Sequence, residues 1–374
     1  IGVRLVGSEM CIRDSFEVDL SASNFDTPGP SGVASYYDPR MHELYYFWDF
    51  GDTGTWDAPV NVLNAWKDRN VAKGPAVRHM YREPGSYTVS VLVIEPSSGK
   101  TAAASTTVSV SDPQDYYGDA NTIYVNNVGD NDFSDVPPGV PASNKINVDT
   151  RQKYHNGSAF VKDATWDYFD GGYSKRWRFK RGGSWDVSIY ISFSDTPHIM
   201  FDDYGDPSDP KPVLRPIDTT TVSHLRECIK VGYAHDQAGG LTPTVKAPEF
   251  RIRNIHGEGG FDAVTTDGLN NNRTTFFRGN GACDLMMVDC DFNGFGNSTI
   301  YSQTGSGATN HDNKLHIDNC SLNNFGGQYP IMWVGSYGDE TSVCLTGLRA
   351  ANPGDARCGA AVSYTHLRAH ETDS

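Results

Sequence analysis

Three ionisable residues, Lys314, His316 and Asp318, alternate with Leu315 and Ile317 in the stretch NKLHIDN. Alternation is the period of a strand, so with Leu315 and Ile317 facing a core the three polar side chains face outward together. Arg251 and Arg253 alternate in the same way with Phe250 and Ile252 in FRIRN, and Asp284 stands just before the apolar run LMMV. A Lys or His held beside a carbon acid can take its proton as a general base. Arg side chains nearby would stabilise the enolate-like charge that follows and bind carboxylates through charge-assisted hydrogen bonds. These residue types point to proton abstraction next to a carboxylate of an acidic glycan. Lys314, His316 and Asp318 are the catalytic candidates. Arg251, Arg253, Asp284 and Arg273, the last in the loop NNNR, are the substrate-binding candidates. The plainer alternative is a solvated, partly ion-paired sheet face. Asp262, Asp267, Asp291 and Asp312, in or near loops, offer paired carboxylates for glycoside hydrolysis instead.

The elements that must position these side chains come from a repeat. LMMVDCDFNGFG (Leu285–Gly296) aligns with LHIDNCSLNNFG (Leu315–Gly326) at a fixed offset. An earlier copy, FRIRNIHGEGG, places Ile252 and Ile255 with Met287 and Cys290. A weaker later one, VCLTGLRAANPG, places Leu345 and Leu348 with Ile317 and Cys320. Repeats of this size with strand-like alternation and a polar corner predict a solenoid whose stacked rungs bury one continuous core. The alignment sets Asp284 opposite Lys314, Met286 opposite His316 and Val288 opposite Asp318. Asn254, Asp289 and Asn319 fall at the bend, where their side chains are expected to satisfy turn backbone groups. Cys290 and Cys320 are expected to stack as buried thiols acting as small apolar residues, with a disulfide between them as the alternative.

Upstream come NTIYVNNVGDNDFSD, WRFKRGGSW and HIMFDDYGDPSDPKPVLRP, in that order. This order resembles the opening of secreted right-handed parallel β-helix proteins of the pectate-lyase-like superfamily. The resemblance implies basic residues on an exterior groove, with calcium in some members. No complete catalytic motif of that family is present, so none is carried over.

The N-terminal part reads differently. ELYYFWDFGD is an aromatic strand running into a Gly-Asp turn, and Tyr87, Val89, Val91 and Val93 alternate with Thr88, Ser90 and Leu92. Pro84-Gly85 and Ser97–Lys100 are turns on either side, with Thr107–Val110 as the returning strand. WDFGD at Trp48–Asp52, His79-x-Tyr81 and PGSYTVSV at Pro84–Val91 together resemble a PKD domain, an immunoglobulin-like module. The resemblance implies an extracellular or surface protein, with the module as spacer or weak binder beside carbohydrate-active domains. Asp49 and Asp52 are candidates for a calcium ion or, as the plainer reading, turn caps; His79 reads as a packed structural histidine. SDPQDYYGDA (Ser111–Ala120) reads as a linker.

The bulk numbers agree with this picture. The net charge of −15 argues against nucleic-acid binding, which rests on cations meeting phosphate. No apolar run reaches the length of a membrane span. The 38 glycines and 20 prolines favour turns and strands over helices. No Cys or His spacing fits zinc, and no G-x-S-x-G elbow, Walker loop or dinucleotide fingerprint occurs. The even count of cysteines outside the N-terminal segment permits disulfides without requiring them.

Both ends stand apart. Val362–Thr372 and Leu5–Asp14 read as translations of one short DNA string on opposite strands, and that string resembles the adapter used in transposon-based sequencing libraries. On this reading the natural fragment is Phe16–Ala360, cut at both ends, with any signal peptide upstream of the cut.

The expected fold class is all-β: an immunoglobulin-like β-sandwich followed by a C-terminally truncated right-handed parallel β-helix. The expected divisions are 1–15 and 361–374 adapter-derived, 16–112 PKD-like, 113–120 linker and 121–360 β-helix. The expected role is engagement of a polysaccharide, with a lyase or glycoside hydrolase activity as the enzymatic form. The other class is a non-enzymatic adhesin, surface-structural or phage receptor-binding protein that uses the helix as a scaffold.

Overall fold

The computed structural model describes residues 43–55, 69–74, 77, 79–127, 130–147, 175–187, 189–192, 198–216, 226–232, 249–259, 274–280, 284–296, 298–303, 313–323, 332–335, 341–346 and 349–351. The adapter-like ends lie outside these residues, as do Arg273, Asp262, Asp267, Asp312, Leu348, Cys283 and Cys358. The chain divides into two compact units between Gly118 and Asp119.

In the first unit β1 (Tyr45–Asp49), β2 (Val71–Lys73), β3 (Gly85–Glu95) and β4 (Lys100–Val110) form one antiparallel sheet in the order β2-β1-β3-β4. The predicted alternation holds: Tyr46, Trp48, Val89, Val91 and Val93 are buried together with Phe50 and Tyr81. The returning strand is longer than expected and starts at Lys100, pairing with β3 along its whole length. Continuous cross-strand pairing outweighs the weak strand propensity of Ala102–Ala104. Gly51 (φ 69°) turns the chain after β1, and a Cβ there would sit 2.9 Å from the Thr88 carbonyl oxygen. The remainder of the expected sandwich, 16–42 and 56–68, falls outside the described residues.

The segment read as a linker is helical: α1 spans Pro113–Asn121, interrupted at Gly118. Asp112 caps it, accepting from the Gln114 amide at 2.7 Å, and Pro113 fills the first position, where no N–H is needed. Nine residues with only Pro113 and Tyr117 buried show too little period to be read as a helix from sequence.

The second unit is a stack of parallel strands. Its first sheet holds β5 (Thr122–Asn126), β6 (Lys145–Asn147), β7 (Lys175–Lys180), β10 (His198–Tyr204), β13 (Glu249–Arg253), β16 (Asp284–Val288), β19 (Asn313–Asp318) and β22 (Thr341–Thr346). The second holds β8 (Ser184–Val187), β11 (Val213–Pro216), β14 (His256–Glu258), β17 (Asp291–Asn293), β20 (Ser321–Asn323) and β23 (Arg349–Ala351). The third holds β9 (Ile189–Ser192), β12 (Arg226–Gly232), β15 (Thr274–Asn280), β18 (Ser298–Gln303) and β21 (Met332–Gly335). From β7 onward each strand pairs with the one three places later, a topology compatible with a solenoid. The register is the one the repeat implies: Asp284 opposite Lys314, Leu285 opposite Leu315, Met286 opposite His316, Val288 opposite Asp318.

Inside the stack, aromatic rings climb from rung to rung, Phe179 to Phe201 at 5.6 Å and Phe201 to Phe250 at 5.2 Å, and Phe250 meets Phe277 of the third sheet across the core at 5.4 Å. Gly257 is required by this packing, because a Cβ there would fall within 3 Å of both Phe276 and Phe292. Cys228, Cys290 and Cys320 are buried free thiols; Cys290 and Cys320 act as the small core residues expected of them. The corner between first and second sheets is made by Asn254, Asp289 and Asn319, all left-handed (φ 54°, 53° and 48°), which Asn and Asp tolerate best after Gly. Their side chains also link one corner to the next. Asn319 Nδ2 donates to Asp289 Oδ1 at 2.6 Å and Asn254 Nδ2 to Asp203 Oδ1 at 3.1 Å. Stacked corners bring the same position of successive rungs close enough for the amide to reach its neighbour.

Candidate functional site

The outer face of the first sheet carries the residues singled out from sequence. Leu315 and Ile317 belong to the core, whereas His316 follows Met286 and Arg251 in one outward column, and Asp318 follows Val288 and Arg253 in the next. Glu249, Asp284 and Lys314 form a third. The strands therefore bring the predicted residues together. The expectation of a solvated exterior is corrected: His316 is 1 % and Asp318 3 % exposed, Arg251 and Met286 are buried beside them, and Arg253 is half-buried. Alternation tells which side of a sheet a side chain takes, but not whether that side is covered. The Lys314 side chain, like Arg273, lies outside the described residues.

Charge on this face is balanced internally. Arg251 bonds Asp284 at 2.9 Å and Glu249 at 3.2 Å, and His198 Nδ1 lies 3.2 Å from the same Glu249 carboxylate. Two strands away the Arg176 Nε donates to Asp202 Oδ2 at 3.1 Å, and Arg178 approaches the other Asp202 oxygen at 3.4 Å. The sequence reading missed Arg176, Arg178, Asp202, Glu249 and His198. Their signal was present in KRWRFK, HIMFDDY and EFRIR, where polar residues alternate with core residues.

The second sheet presents a smaller polar cluster. Lys211 Nζ and Ser321 Oγ each donate to Asp291 at 2.6 Å, and Asn293 Nδ2 donates to Glu258 at 2.9 Å. Burial pushes the Asp291 carboxyl up, but the hydrogen bonds from Lys211 and Ser321 outweigh it and hold it below the usual carboxylate range. Asp291 is thus an ionised counter-ion, not a carboxylic acid poised to donate a proton.

The third sheet is different again. Ile229, Phe277 and Ile300 point into the core in one register column. The next position along each strand gives Tyr190, Lys230, Arg278, Tyr301 and Trp333 in strand order, two cations among three aromatics. Arg278 stacks over the Tyr301 ring at 5.1 Å and its Nη1 bonds Glu227 at 2.8 Å, and both Arg278 and Tyr301 remain part-exposed. Sequence reading found no repeat here. Loops of unequal length separate these strands, and Phe276 and Phe277 are both core residues, which breaks the alternation.

In the first unit the three PKD-like motifs form one cluster. His79 stacks on Phe50 at 4.2 Å and is hydrogen-bonded through Nε2 to Asp52 Oδ2 at 2.9 Å, while the Tyr81 hydroxyl donates to the Phe50 carbonyl at 2.7 Å. Asp52 also accepts from the Gly54 amide at 2.8 Å and from Arg69 at 3.3 Å. Burial pushes the Asp52 carboxyl up, yet the His79 bond, the Gly54 amide and the Arg69 charge hold it at about 2. Asp49 accepts from the Gly51 amide at 2.9 Å. Asp52 thus sits among donors and a cation, the surroundings of the turn-capping aspartate that was the plainer expectation.

Against known proteins, the family model described as PKD domain matches residues 32–110. No curated protein and no solved structure matches the chain. PKD domains are typical of extracellular and surface proteins. Among the described residues no helix is long and apolar enough to cross a membrane.

Proposed function

We propose that this is a secreted or cell-surface protein whose second unit, a right-handed parallel β-helix of the pectate-lyase-like kind, engages an acidic polysaccharide along the outer face of its third sheet. The observation that carries the reading is the register column Tyr190, Lys230, Arg278, Tyr301 and Trp333. Cations bind the carboxylates of a uronate chain by charge-assisted hydrogen bonds. The Tyr301 ring beside Arg278 offers flat apolar surface to the C–H faces of sugar rings. Parallel strands about 4.8 Å apart repeat these contacts along a polymer. The PKD-like part (16–112), the helical connection (113–120) and the β-helix (121–360) are the proposed divisions.

Cleavage by a lyase or hydrolase mechanism is the enzymatic form of the proposal. The burial of His316 and Asp318 supports a structural role for them and favours a catalytic base elsewhere. The closed, internally paired first-sheet face equally favours the second reading, a non-enzymatic adhesin or receptor-binding scaffold. Affinity electrophoresis of the full chain in polygalacturonate and alginate gels tests the binding. Retardation that falls at least tenfold in Arg278→Ala supports it; equal mobility of wild type with and without glycan overturns it. Release of unsaturated or reducing ends from the same polymers assigns the enzymatic form, and retardation without release assigns the scaffold.

A further inference from the structure

Arg278 on β15 lies between two neighbours of different chemistry. On one side β12 supplies Glu227, whose Oε1 accepts from Arg278 Nη1 at 2.8 Å. On the other β18 supplies Tyr301, whose ring centroid lies 5.1 Å from the guanidinium carbon. The register sets Arg278 opposite Lys230, and Glu227 opposite Thr275 three residues earlier. Those positions are about 10 Å apart along the strands, so the two long side chains lie along the sheet surface toward each other. A break in alternation gives them a common face. Cys228 and Ile229, like Phe276 and Phe277, are consecutive core residues, and Glu227 and Arg278 flank these pairs on the outer side. The Glu227 side chain is only 11 % exposed. Its second oxygen, Oε2, accepts from no donor among the described residues. A carboxylate oxygen in such a place takes its hydrogen bond from water or from a ligand, because leaving it unpaired costs free energy.

The pair thus sets a carboxylate acceptor beside guanidinium donors. A ligand carboxylate bound by Arg278 comes to rest next to Glu227, and the like charges repel. A ligand with a hydroxyl close to its carboxylate removes that conflict. The hydroxyl donates to Glu227 Oε2 while the carboxylate accepts from Arg278. A ligand without the hydroxyl strips water from an enclosed acceptor and returns nothing to it, which is the basis on which hydroxyl-binding sites reject analogues. Uronate chains bring both groups; a polymer with carboxylates on a bare hydrocarbon backbone brings the anion alone. We infer that Glu227 is the specificity-determining residue of the third-sheet site, selecting hydroxyl-bearing polyuronates against polyanions that lack hydroxyls. Arg278 anchors the carboxylate, and Glu227 reads what stands beside it. The inference rests on the polysaccharide reading of that sheet and adds the reason why charge alone does not satisfy it.

The test is affinity electrophoresis of the full chain in gels that hold polygalacturonate or, at equal carboxylate concentration, sodium polyacrylate. Wild type and Glu227→Gln are compared. Glutamine keeps the size of the side chain and an oxygen for Arg278 but removes the charge, and the melting temperature checks that the fold is kept. Wild type should be retarded by polygalacturonate at least about tenfold more strongly than by polyacrylate. Glu227→Gln should gain retardation in polyacrylate and lose it in polygalacturonate, so that the preference disappears. A merely structural role for Glu227 would weaken both together and could not produce the gain. A third gel needs no variant: polygalacturonate with its hydroxyls acetylated keeps the carboxylates, and wild type should be retarded in it as weakly as in polyacrylate. Equal retardation of wild type by all three polymers overturns the inference while leaving the binding itself in place. A preference that survives in Glu227→Gln also overturns it. Wild type retarded by none of them overturns the reading of the third sheet, and the inference with it.

Discussion

On the first parallel sheet Arg176, Arg251 and His316 are closed from solvent, and the two guanidiniums are paired with carboxylates on neighbouring strands. On the third sheet Arg278 bonds the Glu227 carboxylate and stacks over the Tyr301 ring, with part of its surface open. Both arginines point away from the same core, and both alternate with apolar residues. Each has a carboxylate on a neighbouring strand; what separates them is burial and what stands on the other side. Asp284 stands a strand from Arg251, whereas Tyr301 stands across from Arg278. A buried charge whose neighbours complete it is part of the architecture; the part-exposed one stacked on a ring is the one the proposed function assigns to a ligand.

Breaking the first face should have the largest effect. Asp202→Ala leaves Arg176 and Arg178 without their shared carboxylate in a buried site, a loss of roughly 3–5 kcal/mol. Chemical denaturation should show it as a lower midpoint, while Arg278→Ala should move the midpoint little. Equal midpoints for Asp202→Ala and wild type would show that the first face is not held by its ion pairs.

The first unit supplies a smaller effect of the same type. Asp52 has its carboxyl at about 2 in the folded protein against an ordinary 3.8. Because the folded value is the lower one, the stabilisation is complete above pH 3.8 and is lost as pH falls through 2. The shift corresponds to about 2 kcal/mol. Asp52→Asn should flatten this acid limb in a pH series of unfolding, and an unaltered limb would place the loss at other carboxylates. The smallest expected effect sharpens the third face. Tyr301→Ala should weaken polygalacturonate retardation a few-fold without a change in melting temperature; a drop in melting temperature alone would make Tyr301 a packing residue.

Much of the fold was legible. The offset between LMMVDCDFNGFG and LHIDNCSLNNFG correctly placed Met286 beside His316, since parallel stacking sets equivalent positions of two rungs side by side. WDFGD, H-x-Y and PGSYTVSV marked the first unit because each supplies part of one contact set around Phe50, His79 and Tyr81. The helix Pro113–Asn121 was not legible, being short and held by one cap. The candidate site was only half legible. His316 and Asp318 were rightly placed outside the core, but their burial was not foreseen.

The sequence by itself determined which residues of the recognised repeats fill the core, where their strands bend and which copies stand side by side. These follow from local alternation, from Asn and Asp at left-handed corners, and from the self-similarity of the repeat. Only the tertiary structure decided which outward faces are closed. That depends on the pairing of strands distant in sequence, such as Asp202 with Arg176 and Tyr301 with Arg278, and unequal loops hide such pairings from any fixed spacing.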